Sequence, residues 1–486
     1  MIKTCEIISS GQAVPQWIGG EWIQAATGDT LEVINPANCE PLGELSYGGS
    51  TEAISAADAA AEAFPGWSGL PARKRSDILQ FAADLLASRA GEIGSLLSAE
   101  TGKRLPEAVG EINFAAEYLR WFAEEARRPA GHVLTSEDPT RRQLTLSRPV
   151  GVAACLTPWN FPVSIQARKV APALAAGCTV VARASEKAPL AVLELFRALQ
   201  DAGLPPGVAN VIHGPAGEQA EALLAHPAVR VVSFTGSTSV GAHLMELASK
   251  RVVRCALELG GDAPFIIFAD SDIDAAVEGL MIAKFRNNGQ SCIAANRVFV
   301  QSSILAKLSE RLAAATSSLA VGDPLDKPHV DLGPLIDTSR VAAVQTLVDE
   351  AVDAGARWLG PSPEMPKGLC FSRPGFLVEV PDKVGLATTE VFGPVSALFP
   401  FDTENEVIER ANDTEMGLAG YVYTRDQARS WRMAERLEVG ILGINHPLPS
   451  SAFAPLGGVK QSGIGREGAH QGLEEFTDIR YVSIGL

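Results

Sequence analysis

Several signatures of common chemistry are missing from this chain. It has no CxxC, and its seven histidines form no HxxxH or HxH pair, so the ligand spacing of a protein zinc site is absent. No GxSxG occurs, which removes the usual elbow of a serine hydrolase. No apolar run approaches the ~18 residues of a membrane span, and Met1 to Val14 lacks the long apolar core of a signal peptide. Basic residues are in deficit: 41 Lys and Arg against 57 Asp and Glu give a formal net charge of −16. A basic face for nucleic acid is therefore not expected, and an anionic substrate would need local positive charge inside its site. The seven cysteines, at 5, 39, 155, 178, 255, 292 and 370, are odd in number, scattered and mostly set in apolar runs. That argues against a disulfide framework and for a reducing, cytoplasmic setting.

What the chain does contain fits a soluble α/β enzyme. Its 486 residues, 46% hydrophobic and 20% charged, suffice for two or three domains with sizeable cores. Residues from about 51 to 128 carry apolar stripes at helical spacing, such as Ala57-Ala60-Ala61 and Ile78-Phe81-Ala82-Leu85. Breaks at Pro65-Gly66 and at Pro106 are expected to divide them into several helices. The aromatic stripe Phe114, Tyr118, Trp121 and Phe122 reads as core packing. From Val150 the runs Val152–Leu156, Thr179–Ala182, Ala209–Ile212, Val231–Phe234 and Ala263–Phe268 read as strands, alternating with helical segments such as Ala188–Ala202 and Gly217–Ala225. That alternation implies a parallel sheet flanked by helices, a Rossmann-like dinucleotide-binding architecture. The pattern recurs from about 261 to 450 as a second α/β domain. Residues 130 to 148, which alternate like an exposed hairpin, and the strand-like tail Tyr481–Ile484 invite pairing with another subunit.

Chemistry concentrates around Cys292, in the run Asn287-Asn288-Gly289-Gln290-Ser291-Cys292. A cysteine alone is more often a small buried hydrophobe, so a nucleophile must be recognised by its partners. The loop Thr157-Pro158-Trp159-Asn160-Phe161-Pro162 presents an amide between two prolines, and Leu257-Glu258-Leu259-Gly260-Gly261 closes the strand-like run Val252 to Leu257 with a carboxylate. A thiol, an amide for an oxyanion and a carboxylate base are the parts that make and hydrolyse a thioester. Together with Phe234-Thr235-Gly236-Ser237-Thr238-Ser239-Val240-Gly241, Glu390-Val391-Phe392-Gly393-Pro394, Pro455-Leu456-Gly457-Gly458 and Gly465-Arg466-Glu467-Gly468, they closely resemble the aldehyde dehydrogenase superfamily almost from end to end. Within it the chain looks most like the succinate semialdehyde dehydrogenase branch.

The resemblance implies an NAD-binding domain from 1-129 and 149-260, a catalytic domain from 261-450, and a small β oligomerisation domain from 130-148 and 451-486 that builds a homodimer or homotetramer. It implies that Cys292 attacks the aldehyde, that the Asn160 amide and the Cys292 N–H hold the oxyanion, and that Glu258 activates the hydrolytic water. Lys169 matches a lysine near the ribose and the asparagine. Thr157, Pro158, Gly236, Gly241 and Leu259 would join the cofactor site, with Ser237 and Trp159 at the pyrophosphate and Glu390 and Phe392 at the nicotinamide ribose and ring. The loop from Gly236 to Gly241 follows a strand and opens a helix, which suits a pyrophosphate, but it is neither GxGxxG nor a lysine-bearing phosphate loop. The family's usual Lys-Pro-Ser-Glu is here Arg183-Ala184-Ser185-Glu186. Glu186 would accept ribose hydroxyls and repel a 2′-phosphate, so NAD is expected over NADP, which Arg183 and Ser185 leave open.

Arg168 and Arg286 fall where relatives that oxidise neutral aldehydes often carry aromatics. Two arginines facing one tunnel, beside Phe161 and His446, imply a short aldehyde with an anionic far end. Three positions depart from the branch: Leu456 replaces a phenylalanine, Ala469 replaces a carboxylate-binding serine, and His446 stands where a small residue is expected. Succinate semialdehyde, a similar acid semialdehyde and a sulfonated, sulfolactaldehyde-type substrate therefore all stay open. Ala294 occupies the position of the branch's frequent second cysteine, which excludes a redox disulfide there. The alternatives are a CoA-acylating semialdehyde dehydrogenase, a branch that typically lacks the glutamate matched by Glu258, and a non-catalytic binding protein on the same fold.

Overall fold

Strands rich in Val, Ala and Ile that are buried along their whole length must be covered on both faces, and two sets of them organise this chain. In the computed structural model the described residues are 4–128, 131–327 and 329–486, without the side chains of Cys5 and Glu6. The boundary expected between 129 and 130 falls outside them. The first sheet runs in the order Glu21–Ile23, Gln16–Ile18, Ala209–Ile212, Thr179–Arg183, Val152–Leu156, Val229–Thr235, Arg254–Glu258, Gly463–Ile464. The five strands from Ala209–Ile212 to Arg254–Glu258 are mutually parallel, and both edges pair antiparallel. Winding proceeds outward from Val152–Leu156 to one side, then resumes on its other side at Val229–Thr235. Ligand crevices open at such a reversal, beyond the carboxyl ends of the strands. Asn160, Gly236 and Glu258 all follow or end strands at that rim.

The chain crosses through Gly260 to Asp262 into a seven-stranded sheet: Arg357–Trp358, Gly375–Val378, Val395–Phe401, Ala295–Gln301, Ala263–Ile267, Ala419–Tyr423, Ile441–Ile444. All its pairings are parallel except that of the Arg357–Trp358 edge. A Cβ on Gly261 would meet the Cys292 carbonyl oxygen at 2.2 Å, so only glycine lets the crossover pass directly behind Cys292. Ser462 fastens the returning chain there, donating to the Gly260 carbonyl (2.6 Å) and accepting from the Gly417 N–H (2.8 Å). A separate three-stranded sheet pairs Thr477–Gly485 with Arg141–Pro149 and that strand with Val133–Leu134. Val133, Ile479 and Tyr481 stand exposed on it.

Two local expectations fail. Pro65 lies inside the helix Ser50–Ser68, which ends at Gly69. In the last turn a proline removes only one N–H, and its carbonyl still accepts from Gly69 at 3.2 Å. The strand expected from Val252 begins at Arg254, because Val252 sits in a turn at φ 55 with 91% of its surface exposed. Pro106, by contrast, does open a helix, within the first two positions of Leu105–Glu125, where its missing N–H costs nothing.

Candidate active site

Cys292 is delivered by a strained turn. After the helix Ile273–Phe285 the chain passes through Asn287 (φ 52), Asn288 (φ 58) and Gly289 (φ 76), three left-handed residues in succession. Asparagine and glycine adopt that conformation at the least cost, and the buried asparagines then hold the turn. Asn287 Nδ2 donates to the carbonyls of Asn160 (2.9 Å) and Gln290 (3.1 Å). Asn288 Nδ2 donates to the Pro334 carbonyl (2.8 Å), and its Oδ1 accepts from Gly333 (2.8 Å). Asn160, buried between the strand Val152–Leu156 and the helix Pro162–Ala176, donates from Nδ2 to the Gln290 carbonyl at 3.1 Å. The amide loop and the nucleophile loop are thus hydrogen-bonded to each other.

The Cys292 thiol donates to Glu258 Oε1 at 3.4 Å. Burial first, then the Glu258 and Glu390 carboxylates, raise the thiol well above its ordinary pKa, so to act as a nucleophile it would need a base to take its proton. Burial pushes Glu258 up to about 6, with Arg168 pulling it down and Glu467 raising it. Among the described residues, Glu258 Oε2 accepts no hydrogen bond; it lies 4.0 Å from Arg168 Nη2. Behind it sits a buried cluster. Arg168 Nε is 2.5 Å from Glu467 Oε2, and Lys169 pairs with Glu467 Oε1 while donating to Ser233 Oγ at 3.2 Å. Burial alone would raise the Glu467 carboxyl, but Arg168 and Lys169 outweigh it and hold it below its ordinary value.

A cleft of about 210 Å³ joins Cys292, Glu258 and Asn160 to Pro158, Trp159, Gly236, Ser237, Leu259, Glu390 and Phe392. Glycines shape it: a Cβ on Gly236 would strike the Phe234 ring at 2.3 Å, and one on Gly241 the Leu259 side chain at 2.5 Å. Ser237 caps the helix Thr238–Ser249, whose start is a natural anion site. Trp159 and Phe392 meet edge to face at 5.4 Å. Glu390 accepts from the Gly261 N–H at 3.3 Å, and burial pushes its carboxyl up to about 8. Arg340 lines the same cleft with its Nε enclosed and unbonded among the described residues. A glycine-walled cradle, a capped helix start, an aromatic pair, a glutamate and an enclosed guanidinium N–H without a partner fit a dinucleotide. Farther along, Arg183 pairs with Glu186 and donates to the Gly214 carbonyl (3.0 Å), buried Ser185 accepts from the Lys187 N–H (3.4 Å), and Thr157 donates to Gln166 (2.7 Å).

The two arginines read as a pair differ in their partners. Arg168 is 7% exposed, and a guanidinium so deep requires a carboxylate, which Glu467 supplies. Arg286 stands over the Phe161 ring, 4.8 Å from its centroid, with no ion pair among the described residues. Lys169 pairs with Glu467. It lies on the helix face turned to Ser233, and the lysine at Asn160 is Lys103, whose Nζ donates to the Asn160 carbonyl at 2.8 Å. His446 is exposed and bonded to the Leu448 carbonyl of its own loop at 3.0 Å. Glu467, Lys103, Arg340 and Tyr118 were not singled out from the sequence. Glu467 lay within a motif that was, whereas Tyr118, fully buried beside Arg168, was hidden in an aromatic stripe.

Comparison with known proteins agrees with this geometry. The aldehyde dehydrogenase family matches residues 22–482. The chain is 44% identical to the NADP(+)-dependent succinate-semialdehyde dehydrogenase of Escherichia coli, over 96% of this chain and 97% of that one. It is 43% identical to the 3-sulfolactaldehyde dehydrogenase of Pseudomonas putida, over 96% of each. The crystal structure of succinate-semialdehyde dehydrogenase from Burkholderia pseudomallei is similar at a TM-score of 0.96 and 42% identity, covering 98% of this chain and 99% of that one. With its thiol, amide and carboxylate gathered in one cleft, this chain belongs to the aldehyde dehydrogenase family.

Proposed function

We propose that this chain oxidises a short aldehyde with an anionic far end, succinate semialdehyde or a similar acid semialdehyde, to the corresponding acid with NAD. The observation that carries the substrate class is Arg286, resting on Phe161 without a carboxylate partner among the described residues. Its charge reaches Tyr421, whose hydroxyl donates to the Ile293 carbonyl next to Cys292 (2.7 Å). In a chain of net charge −16, an unpaired guanidinium near a nucleophile is a receptor for carboxylate or sulfonate oxygens. Arg168 adds positive charge on the Glu258 side.

Glu258 takes the thiol proton and later, through its unbonded Oε2, activates water against the thioester. The Asn160 amide and the Cys292 N–H receive the oxyanion, and Lys169 with Glu467 balances the charge behind the base. When bound, a nicotinamide dinucleotide would supply the hydride acceptor; Glu390 and Phe392 would hold its nicotinamide half, Trp159 and Ser237 its pyrophosphate, and Arg183, Ser185 and Glu186 its adenosine ribose. Because Glu186 occupies the Arg183 guanidinium, a 2′-phosphate would meet a carboxylate there, which favours NAD over NADP. Segments 1-129 and 149-260 carry the cofactor, 261-450 the nucleophile, and 130-148 with 451-486 pair with another copy in a dimer or tetramer.

The test is a panel of aldehydes of one length ending in carboxylate, sulfonate or methyl, with NAD and with or without CoA. The anionic substrates should exceed the methyl one by at least about tenfold in kcat/KM, the scale of one charge-assisted contact, without dependence on CoA. Equal use of the neutral aldehyde would make this a general aldehyde dehydrogenase, and a CoA requirement would make it an acylating one. A sulfonated substrate is the second reading, favoured by buried Ala469 in place of the carboxylate-binding serine; the sulfonate member decides between the two anions.

A further inference from the structure

We propose that Lys103 and Glu111 are the positioning pair of the oxyanion loop, fixing the backbone on both sides of Phe161 so that the Asn160 amide points at the reacting carbonyl. This rests on the reading of Asn160 given above. Lys103 follows Gly102, whose left-handed φ of 73 ends the helix Ala90–Thr101, and its side chain is fully buried. One ammonium meets three groups: it pairs with Glu111 Oε2, donates to the Asn160 carbonyl at 2.8 Å, and lies 4.4 Å from the Phe161 ring centroid. The other Glu111 oxygen accepts from the Val163 (3.0 Å) and Ser164 (3.2 Å) N–H groups, the first turn of the next helix. A single ion pair therefore grips the chain just before and just after Phe161. Asn287 Nδ2 reaches the same Asn160 carbonyl at 2.9 Å from the nucleophile loop.

Buried ion pairs gain little over well-packed apolar residues, because desolvation offsets the attraction. What this pair supplies is direction. With the carbonyl of residue 160 held by two donors, its peptide plane cannot turn, and Nδ2 stays on the side of Gln290 and Cys292. Phe161, fixed beneath Lys103, is also the ring on which Arg286 rests, so the same pair sets the floor of the substrate's anionic end. Lys103 touches no reacting atom; it acts through Asn160.

The experiment is a double-mutant cycle on the pre-steady-state burst of NADH. Lys103→Met and the charge-neutral double exchange Lys103→Met with Glu111→Gln, which keeps an acceptor for Val163, are made in the parent and in Asn160→Ala. Should the single variant not fold, the double variant carries the test. In the parent the burst rate should fall about tenfold or more, approaching the loss of an oxyanion donor itself, with NAD affinity by fluorescence quenching unchanged. In the Asn160→Ala background the same exchange should change the burst by less than about twofold, since residues that act as a unit are not additive. A parental burst in the folded double variant, or an equal fold-loss with and without Asn160, would overturn the proposal. A parental burst in Asn160→Ala alone would overturn the oxyanion reading, and this inference with it.

Discussion

Two buried ion clusters flank the reacting cleft, and they differ in what their charges can reach. Lys103 and Glu111 form a closed pair, at most 2% exposed, whose remaining contacts go to backbone groups and one ring. Arg168, Lys169 and Glu467 form an open cluster, because Arg168 also comes within 4.0 Å of Glu258, which accepts from the Cys292 thiol. The ingredients are alike, but the first cluster contacts a loop's backbone, and the second, after burial, shifts the proton affinity of Glu258. Burial of charge by itself therefore does not mark chemistry; proximity to a reacting atom does.

The largest break in that comparison comes from Glu258→Gln. Removing a general base costs roughly 10²–10⁴ in rate, so steady turnover should collapse, while stopped-flow should show an NADH burst that is slower, since Glu258 also takes the thiol proton, but still approaches one per subunit because the thioester lacks its deacylating base. Equal loss of burst and steady rate would mean that the open cluster does not end at the deacylating base. Next is Arg286→Leu, which should lose about tenfold to a hundredfold in kcat/KM on a carboxylate-ended aldehyde and leave a neutral one of the same length level. Parallel losses on both would assign Arg286 to packing against Phe161.

The pH profile sharpens the contrast at smaller scale. Glu258 must be ionised to act, and burial pushes it up to about 6. The deacylation rate should therefore be flat above that pH and fall as pH drops through it. Arg168→Met removes a charge that pulls Glu258 down, so the inflection should move to higher pH, whereas Lys103→Met should leave it in place. An unmoved inflection in the Arg168 variant would break the link between cluster and base. The smallest effect concerns the cofactor. NAD should outperform NADP by at least about tenfold, roughly 1.4 kcal/mol, and Glu186→Gln should narrow the gap in both kcat/KM and direct binding.

The grouping of Cys292, Asn160 and Glu258 in one cleft was more legible in the sequence than the contacts that hold it. Cys292, Asn160 and Glu258 were readable because each sits in a loop whose glycines, prolines and amides have few other uses. The strand ends that bring them together followed from alternating apolar runs. Arg168 and Arg286 stood out by charge, but their different fates could not be read, since only the fold brings Glu467 to one of them. Lys103 and Tyr118 lie in ordinary helix-rich sequence, and their importance comes from contacts made 57 residues away at Asn160 or at Arg168. The helix through Pro65 was misread because a proline in a last turn and one that breaks a helix look alike in sequence.

The central claim is a thioester on Cys292 formed from an anionic aldehyde and released by Glu258. It is tested most directly by acid-quenching Glu258→Gln during reaction with succinate semialdehyde and NAD, then mapping the adduct by peptide mass spectrometry. A succinyl group on Cys292, approaching one per subunit and absent from Cys292→Ala, is the expected result. An unmodified Cys292 alongside a full burst of NADH, or an acyl group on another residue, would contradict it.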